Sequence, residues 1–322
     1  MDMNVLPGMH HITAIAGDPQ RNVDFYVGIL GQRLIKKTIN FDDPGTYHLY
    51  YGDEVGTPGT ILTFFPWPNA PKGRRGTGQV VDISFSIPAH ALDYWQERLR
   101  AQHIEVTGPT SRFQEQVLSF SDPDGLSLEL IAHNGPDRPE LVWKQGPVPE
   151  EYAIRGFYSV TMAEANLERT ATHLTQQLGF RFVGQEGNRY RYEVGEGASG
   201  AIVDILSLPD QARGHVAVGT VHHVAWRTPD DTHLLAWQAA LLQEKNNVTE
   251  MRDRQYFHSI YFHEPGGVLF EIATLPPGFT YDEPVAELGT HLKLPPWMEP
   301  NRAELEATLP PLHLPSTTET LK

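Results

Sequence analysis

Apolar and polar residues alternate along the chain in four stretches of similar build, and each predicts a strand, a helix and three further strands. The first opens on the extended run Met9-His10-His11-Ile12-Thr13-Ala14-Ile15. Asp18-Pro19 supplies an N-cap with proline at the first helical position, so a helix is expected through about Leu30. Strands near 33–39, 47–51 and 60–65 complete the unit. The second copy begins at 80–85, carries a helix from Pro88 to about Ala101 and closes on a strand at 126–131. The third begins at 156–160, with a helix near 164–178 and strands near 181–183, 189–194 and 201–206. The fourth begins at 221–226, with a helix near 230–242 and last strands at 256–262 and 268–273.

The closing strands share a finer signature. Each begins with a glycine and reaches a marked position four residues on: Gly59 and Thr63, Gly125 and Glu129, Gly200 and Asp204, Gly267 and Glu271. Three of the four marked residues are acidic inside apolar strands, where a carboxylate is costly unless paired, hydrogen-bonded or bound to a metal. The expected fold is α+β, four βαβββ modules in two domains, with modules one and two in residues 8–135 and modules three and four in 150–290. A proline-rich polar stretch at 136–149 reads as the linker. Residues 291–322, with Pro295-Pro296 and Pro310-Pro311, read as a tail draped over the body, or as a segment that binds another subunit in a homo-oligomer.

Candidate chemistry lies in the first strands of modules one and four, which both carry an adjacent His–His pair. Neighbouring strand residues face opposite sides, so one histidine of each pair can point into a given cavity. Matching the strand frames gives His11 and His223 one direction and puts His10 and His222 on the other face or at the rim. Packing of module one against module four would bring both imidazoles to Glu271. Two imidazoles and a carboxylate bind Fe(II) on one side and leave the other open, and Mn(II) would fit the same ligands. The open side lets an aromatic hydroxyl and dioxygen meet one iron, which acidifies the phenol and couples electron flow from ring to oxygen. Thr63 stands where a fourth protein ligand would come from and is a poor one, which disfavours a four-ligand lyase site. Asp82, Glu129 and Asp204 offer a second group of the all-carboxylate kind that suits Mg²⁺ or Ca²⁺. With Tyr158 at the remaining equivalent place, that cavity reads as a degenerate, hydrogen-bonded core.

Composition narrows the classes. The 322 residues hold 25 Lys and Arg against 40 Asp and Glu, and the formal net charge of −15 argues against nucleic acid and against an anionic membrane surface. Cysteine is absent, which removes disulfides, thiolate metal sites, iron–sulfur clusters and cysteine nucleophiles. No apolar run approaches the ~18 residues of a membrane span, and the opening residues lack a signal-peptide pattern, so a cytoplasmic protein is expected.

The four modules, the His-His-Ile-Thr opening and Pro265-Gly266-Gly267-Val268-Leu269-Phe270-Glu271 resemble the vicinal oxygen chelate superfamily of glyoxalases and extradiol dioxygenases. Within it the chain is similar to the hydroquinone-type ring-cleaving dioxygenases, the group of 2,6-dichlorohydroquinone 1,2-dioxygenase. Gly31-Gln32-Arg33, Tyr47-His48-Leu49-Tyr50, Gly56-Thr57-Pro58-Gly59-Thr60, Glu186-Gly187-Asn188-Arg189 and Asp253-Arg254-Gln255-Tyr256-Phe257 extend the likeness over about residues 8–290. The resemblance implies the vicinal oxygen chelate fold and O2-dependent opening of a hydroquinone-like ring, with Fe(II) on His11, His223 and Glu271. It also implies that His10, Thr13, His222, Arg254 and Tyr261 surround substrate and oxygen.

Residue type suggests what each would do. His222 would serve as an acid–base group near neutral pH. Tyr261 would donate a hydrogen bond to oxygen or phenolate, and Arg254 would stabilise anionic intermediates. His10 and Thr13 would orient the remote hydroxyl. Phe64, Phe65, Trp67, Trp226 and Phe257 are candidates for a ring pocket or for plain core, and His258 receives no role. Two other readings stand beside this one: a glyoxalase-type metal-dependent lyase or isomerase, and a non-catalytic resistance protein that binds an aromatic compound.

Overall fold

The computed structural model describes residues 5–136 and 138–315. Residues 1–4, residue 137 of the expected linker and residues 316–322 of the expected tail lie outside the described residues. Module one supplies β1 (Met9–Ala16), β2 (Arg33–Asn40), β3 (Asp43–Gly52) and β4 (Ile61–Pro66). Module two supplies β5 (Gln79–Pro88), β6 (Thr107–Arg112), β7 (Glu115–Ser121) and β8 (Ser127–His133). Module three supplies β9 (Phe157–Glu164), β10 (Arg181–Glu186), β11 (Arg189–Glu193) and β12 (Ile202–Ser207). Module four supplies β13 (Thr220–Thr228), β14 (Arg252–Asp253), β15 (His258–His263) and β16 (Leu269–Thr274). Each first strand is followed by a helix: α1 (Pro19–Val23), α2 (Leu92–Ala101), α3 (Leu167–Gln176) and α4 (Asp231–Gln243). The α+β reading and its four βαβββ units hold.

Modules distant in sequence share the sheets. One eight-stranded sheet runs β14-β15-β16-β13-β1-β4-β3-β2, the other β10-β11-β12-β9-β5-β8-β7-β6. Module one thus joins module four, and module two joins module three. The seams are antiparallel pairs of first strands, β1 with β13 and β5 with β9. Within a module the first and closing strands run parallel, as in β1 with β4, which is why a helix must carry the chain back across the sheet. β1, β5 and β9 are buried along their whole lengths, so they read as continuous rather than alternating apolar runs.

Local departures have physical causes. The helix expected through Leu30 is α-helical over Pro19–Val23 and then widens over Asp24–Ile29, with the Leu30 N–H donating to the Phe25 carbonyl. The wider turns bury Phe25, Tyr26 and Val27 in succession. β6 escaped placement from sequence because Thr-Gly-Pro-Thr-Ser-Arg is polar and mostly exposed. In the Glu264-Pro265-Gly266-Gly267 turn, a Cβ on Gly266 would overlap the buried Glu164 carboxylate, so any other residue there would have to push that carboxylate aside. Among the described residues no helix is long and apolar enough to cross a membrane.

Helix α3 turns His173 inward against Phe262, with ring centroids 5.9 Å apart. Burial pushes its pKa down from 6.5 to about 4. Below 6.5 the unfolded chain takes up a proton that the folded one refuses, so the stability held by the neutral ring drains away as pH falls toward about 4. Urea unfolding of the parent and of His173→Met at neutral pH and near pH 5 should show the parent losing ~2 kcal/mol more than the variant. Equal losses would place the titration elsewhere.

Candidate metal centre

Three neighbouring strands build the centre. Thr13 on β1 lies opposite His223 on β13, His11 lies opposite Ala225, and Glu271 on β16 lies beside Ala225. This register brings three atoms together: His11 Nε2 to His223 Nε2 is 3.3 Å, His11 Nε2 to Glu271 Oε2 is 3.2 Å, and His223 Nε2 to Glu271 Oε2 is 2.9 Å. All three residues are buried, and among the described residues they form the one such cluster able to hold a metal ion. Neither Glu271 oxygen has a hydrogen-bond partner of acceptable geometry, although both imidazole nitrogens approach Oε2. A buried carboxylate left so is expensive, and a cation at the point where the lone pairs converge removes the cost. Ligands set at right angles around a divalent transition ion at ~2.1 Å stand ~3.0 Å apart, close to the triangle observed. The donor set fits a metal. Burial alone would raise the Glu271 pKa, but His11 and His223 outweigh it and hold the carboxyl well below the usual carboxylate range.

Both His–His pairs sit at bulges. The β1–β13 register slips between Met9 and His11 and again between His223 and Val221, leaving His10 and His222 as the extra residues. His10 Nδ1 lies 2.9 Å from His11 Nδ1, and its Nε2 lies 3.1 Å from the Thr274 carbonyl. His222 Nδ1 lies 2.7 Å from His223 Nδ1. A metal held by the two inner Nε2 atoms would put the protons of His11 and His223 on Nδ1, donated outward to His10 and His222.

A cavity of about 440 Å³ opens over the centre, and Thr13, His222, Arg254 and Tyr261 line it together with His11 and His223. His10 does not line it. The expectation that His10 orients a substrate hydroxyl gives way to its position behind His11. Phe65, Trp67 and Phe257 form aromatic walls, with Phe257 centred 5.0 Å from His11, whereas Phe64 and Trp226 are fully buried core. Tyr261 Oη accepts from Arg254 Nε and from Ser259 Oγ, both at 3.1 Å, which leaves its own O–H free to donate. Arg254 also donates to Asp42 at 3.1 Å, tying module four to the tip between β2 and β3. Burial and His223 push the His222 pKa down to about 3, so it is neutral at pH 7 and does not titrate near 6.5 as expected. With Nδ1 accepting from His223, its proton would lie on Nε2, where the ring can donate a hydrogen bond.

His48 and Tyr50 line the same cavity, and sequence reasoning assigned them no role. Their signal was present in Tyr47-His48-Leu49-Tyr50, where alternation puts 48 and 50 on one face of β3. Thr63 stands beside Thr13 as Glu271 stands beside Ala225, so Thr63 is the module-one counterpart of Glu271. In the other sheet, Asp82 takes the place of His11, and Ser159, one residue on from the expected Tyr158, takes that of His223. Those carboxylates are ion-paired: Arg112 grips Glu129 with two bonds of 2.7 Å, Arg191 Nε meets Asp204 at 2.8 Å, and Arg75 meets Asp82 at 2.8 Å.

Paired βαβββ modules with a three-ligand centre at their seam define the class. The chain belongs to the Glyoxalase/Bleomycin resistance protein/Dioxygenase superfamily, whose family profile matches residues 8–130 and 156–272, and within it to the ring-cleaving dioxygenases. It is 46% identical over 307 residues to the "Putative ring-cleaving dioxygenase MhqO" of Bacillus subtilis (strain 168), covering 95% of this chain and 97% of that one. To the chlorohydroquinone/hydroquinone 1,2-dioxygenase of Sphingobium indicum it is 38% identical, covering 94% and 95%. A crystal structure of a "putative dioxygenase" from Bacillus subtilis superposes with a TM-score of 0.91 at 44% identity, covering 97% of this chain and 99% of that one. Glyoxalase I from Zea mays, at 16% identity and a TM-score of 0.62, shares the fold alone.

Proposed function

We propose that the protein is an Fe(II)-dependent dioxygenase that opens the ring of a hydroquinone-type phenol with O2. One observation carries the reading: a three-ligand face lies under an aromatic-walled cavity, with a threonine at the fourth place. The relative named chlorohydroquinone/hydroquinone 1,2-dioxygenase supports it. A ferrous ion on His11, His223 and Glu271 would supply joint coordination of a ring oxygen and dioxygen and electron transfer between them.

The chain's own groups supply the rest. Phe65, Trp67 and Phe257 hold an aromatic ring and keep water out. Tyr261 aims a free O–H at a phenolate oxygen, and Arg254, donating to the same hydroxyl, makes it a stronger donor. His10 and His222 fix the rings of His11 and His223 through their Nδ1 contacts. A lyase of the glyoxalase kind needs a fourth protein ligand, and Thr63 spends its hydroxyl on Thr13 and His48 instead.

Anaerobic loading with Fe(II), followed by oxygen uptake with hydroquinone, catechol and a methylglyoxal–thiol adduct, tests the proposal. Uptake is expected with hydroquinone and not with the adduct. Turnover of the adduct without oxygen, or tight binding of hydroquinone by iron-loaded protein without uptake, overturns it.

A further inference from the structure

One mostly buried polar chain at the cavity wall has figured so far only as the reason that Thr63 is no metal ligand. On β3, Tyr50 Oη lies 2.8 Å from His48 Nδ1, and His48 Nε2 lies 2.8 Å from Thr63 Oγ1. Thr63 Oγ1 in turn lies 2.9 Å from Thr13 Oγ1. The protons along this chain can be ordered. Among the described residues His48 is the hydrogen-bond partner of the Tyr50 hydroxyl, and burial keeps that phenol protonated, so Tyr50 donates to Nδ1. Burial and the imidazoles of His11 and His223 hold the His48 pKa well below its ordinary value, so the ring is neutral. Its single N–H therefore lies on Nε2 and is donated to Thr63. The two threonine hydroxyls then own two protons and share one bond. One O–H is left for the cavity.

Position decides what that O–H meets. Thr63 is the counterpart of Glu271, the place from which a fourth protein ligand would reach the centre, and Thr13 lies opposite His223. Both threonines are fully buried, and Thr13 lines the cavity. Thr13 is the member of the pair that lines the cavity, so the spare O–H reaches the cavity through Thr13.

We propose that His48 is a positioning residue that makes the Thr13–Thr63 pair a hydrogen-bond donor to a phenol held at the centre as its anion. Donation to the charged form of a ligand favours that form, so the pair lowers the pH at which the bound phenol ionises. A position that would serve as a metal ligand in a lyase acts here on the organic ligand instead. The inference rests on the reading that a ring oxygen enters this site, and its test is kept apart from ring cleavage.

The test uses protein loaded with Zn(II), which has no redox chemistry, and 4-nitrophenol, whose anion is coloured. In the parent, bound 4-nitrophenol should ionise at lower pH than the free compound. His48→Phe keeps the ring packing on Phe65, where the centroids are 4.4 Å apart, and removes both nitrogens. Thr63→Val removes the hydroxyl at similar volume. Each leaves Thr13 its O–H but breaks the chain that fixes and polarises it, so the acid dissociation of the bound ligand should weaken about tenfold, one unit on the pH axis, with zinc content unchanged. The double variant should be no worse than either single one, because both cut the same chain. His48→Gln, whose amide can donate to Thr63, should recover part of the effect. Unchanged ionisation in both single variants, additive losses in the double variant, or a parent that leaves the ligand ionising as in free solution would each overturn the inference. Oxygen uptake by iron-loaded parent is read separately; its absence would sink ring cleavage and leave the nitrophenol result standing.

Discussion

Glutamine at position 271 should abolish iron binding and turnover, yet leave a folded protein whose stability in the presence of chelator stays close to the parent's. Among the described residues neither oxygen of buried Glu271 has a well-formed hydrogen bond, and without metal the desolvation cost of its charge is offset by the nearby imidazoles of His11 and His223. An amide of the same shape is neutral, so it escapes most of that cost and gives up the offset. Iron separates the two. A ligand a thousandfold above its dissociation constant stabilises the folded state by ~4 kcal/mol, and only the parent has the anionic ligand that completes the triangle. Metal analysis of anaerobically loaded protein, with urea unfolding run with and without Fe(II), reads both effects. Near-stoichiometric iron in Glu271→Gln, or a parent whose unfolding ignores chelator, would remove Glu271 from the centre.

The ligand set was legible in sequence because the repeat itself supplied a frame. A lone His–His pair on a strand says little, but two at equivalent places, with a glutamate four residues after a recurring glycine, mark one point in space. What the frame missed lies at the bulges. His10 and His222 are extra residues in the β1–β13 ladder, so simple alternation could not tell that both meet the outer nitrogens of His11 and His223, or that His222 lines the cavity while His10 does not. The β5–β9 ladder also slips, between Val80 and Asp82 and between Ser84 and Phe85, and the counterpart of His223 accordingly moves from Tyr158 to Ser159. His48 was illegible for a different reason. A histidine in an alternating strand looks like any half-buried residue, and its meaning comes only from β3 pairing with β4, which sets Tyr50 opposite Thr63.

The same registers show how the second sheet balances its buried carboxylates, and they yield the other large expected effect. Arg191 lies opposite Asp204 on β11 as Tyr261 lies opposite Glu271 on β15, so module three places a guanidinium where module four places a phenol. That guanidinium donates to Asp204 at 2.8 and 3.1 Å and to Glu115 at 2.7 Å, supplying from within the chain the positive charge that the first sheet leaves to a cation. Among the described residues, Arg191→Met should therefore leave Asp204, which is fully buried, with Arg189 as its remaining ionic partner, and Glu115 with only the Tyr158 hydroxyl. Removing one member of a buried ion pair strands the charge of the other, and a loss of ~3–5 kcal/mol is expected. Adding Asp204→Asn should restore part of it, because the amide no longer needs the cation. Iron per folded chain should stay at the parent level throughout. Urea unfolding of the single and double variants settles the matter: a loss under ~1 kcal/mol in Arg191→Met, or no recovery in the double variant, would mean that the network is surface-like and that something else holds the second sheet closed.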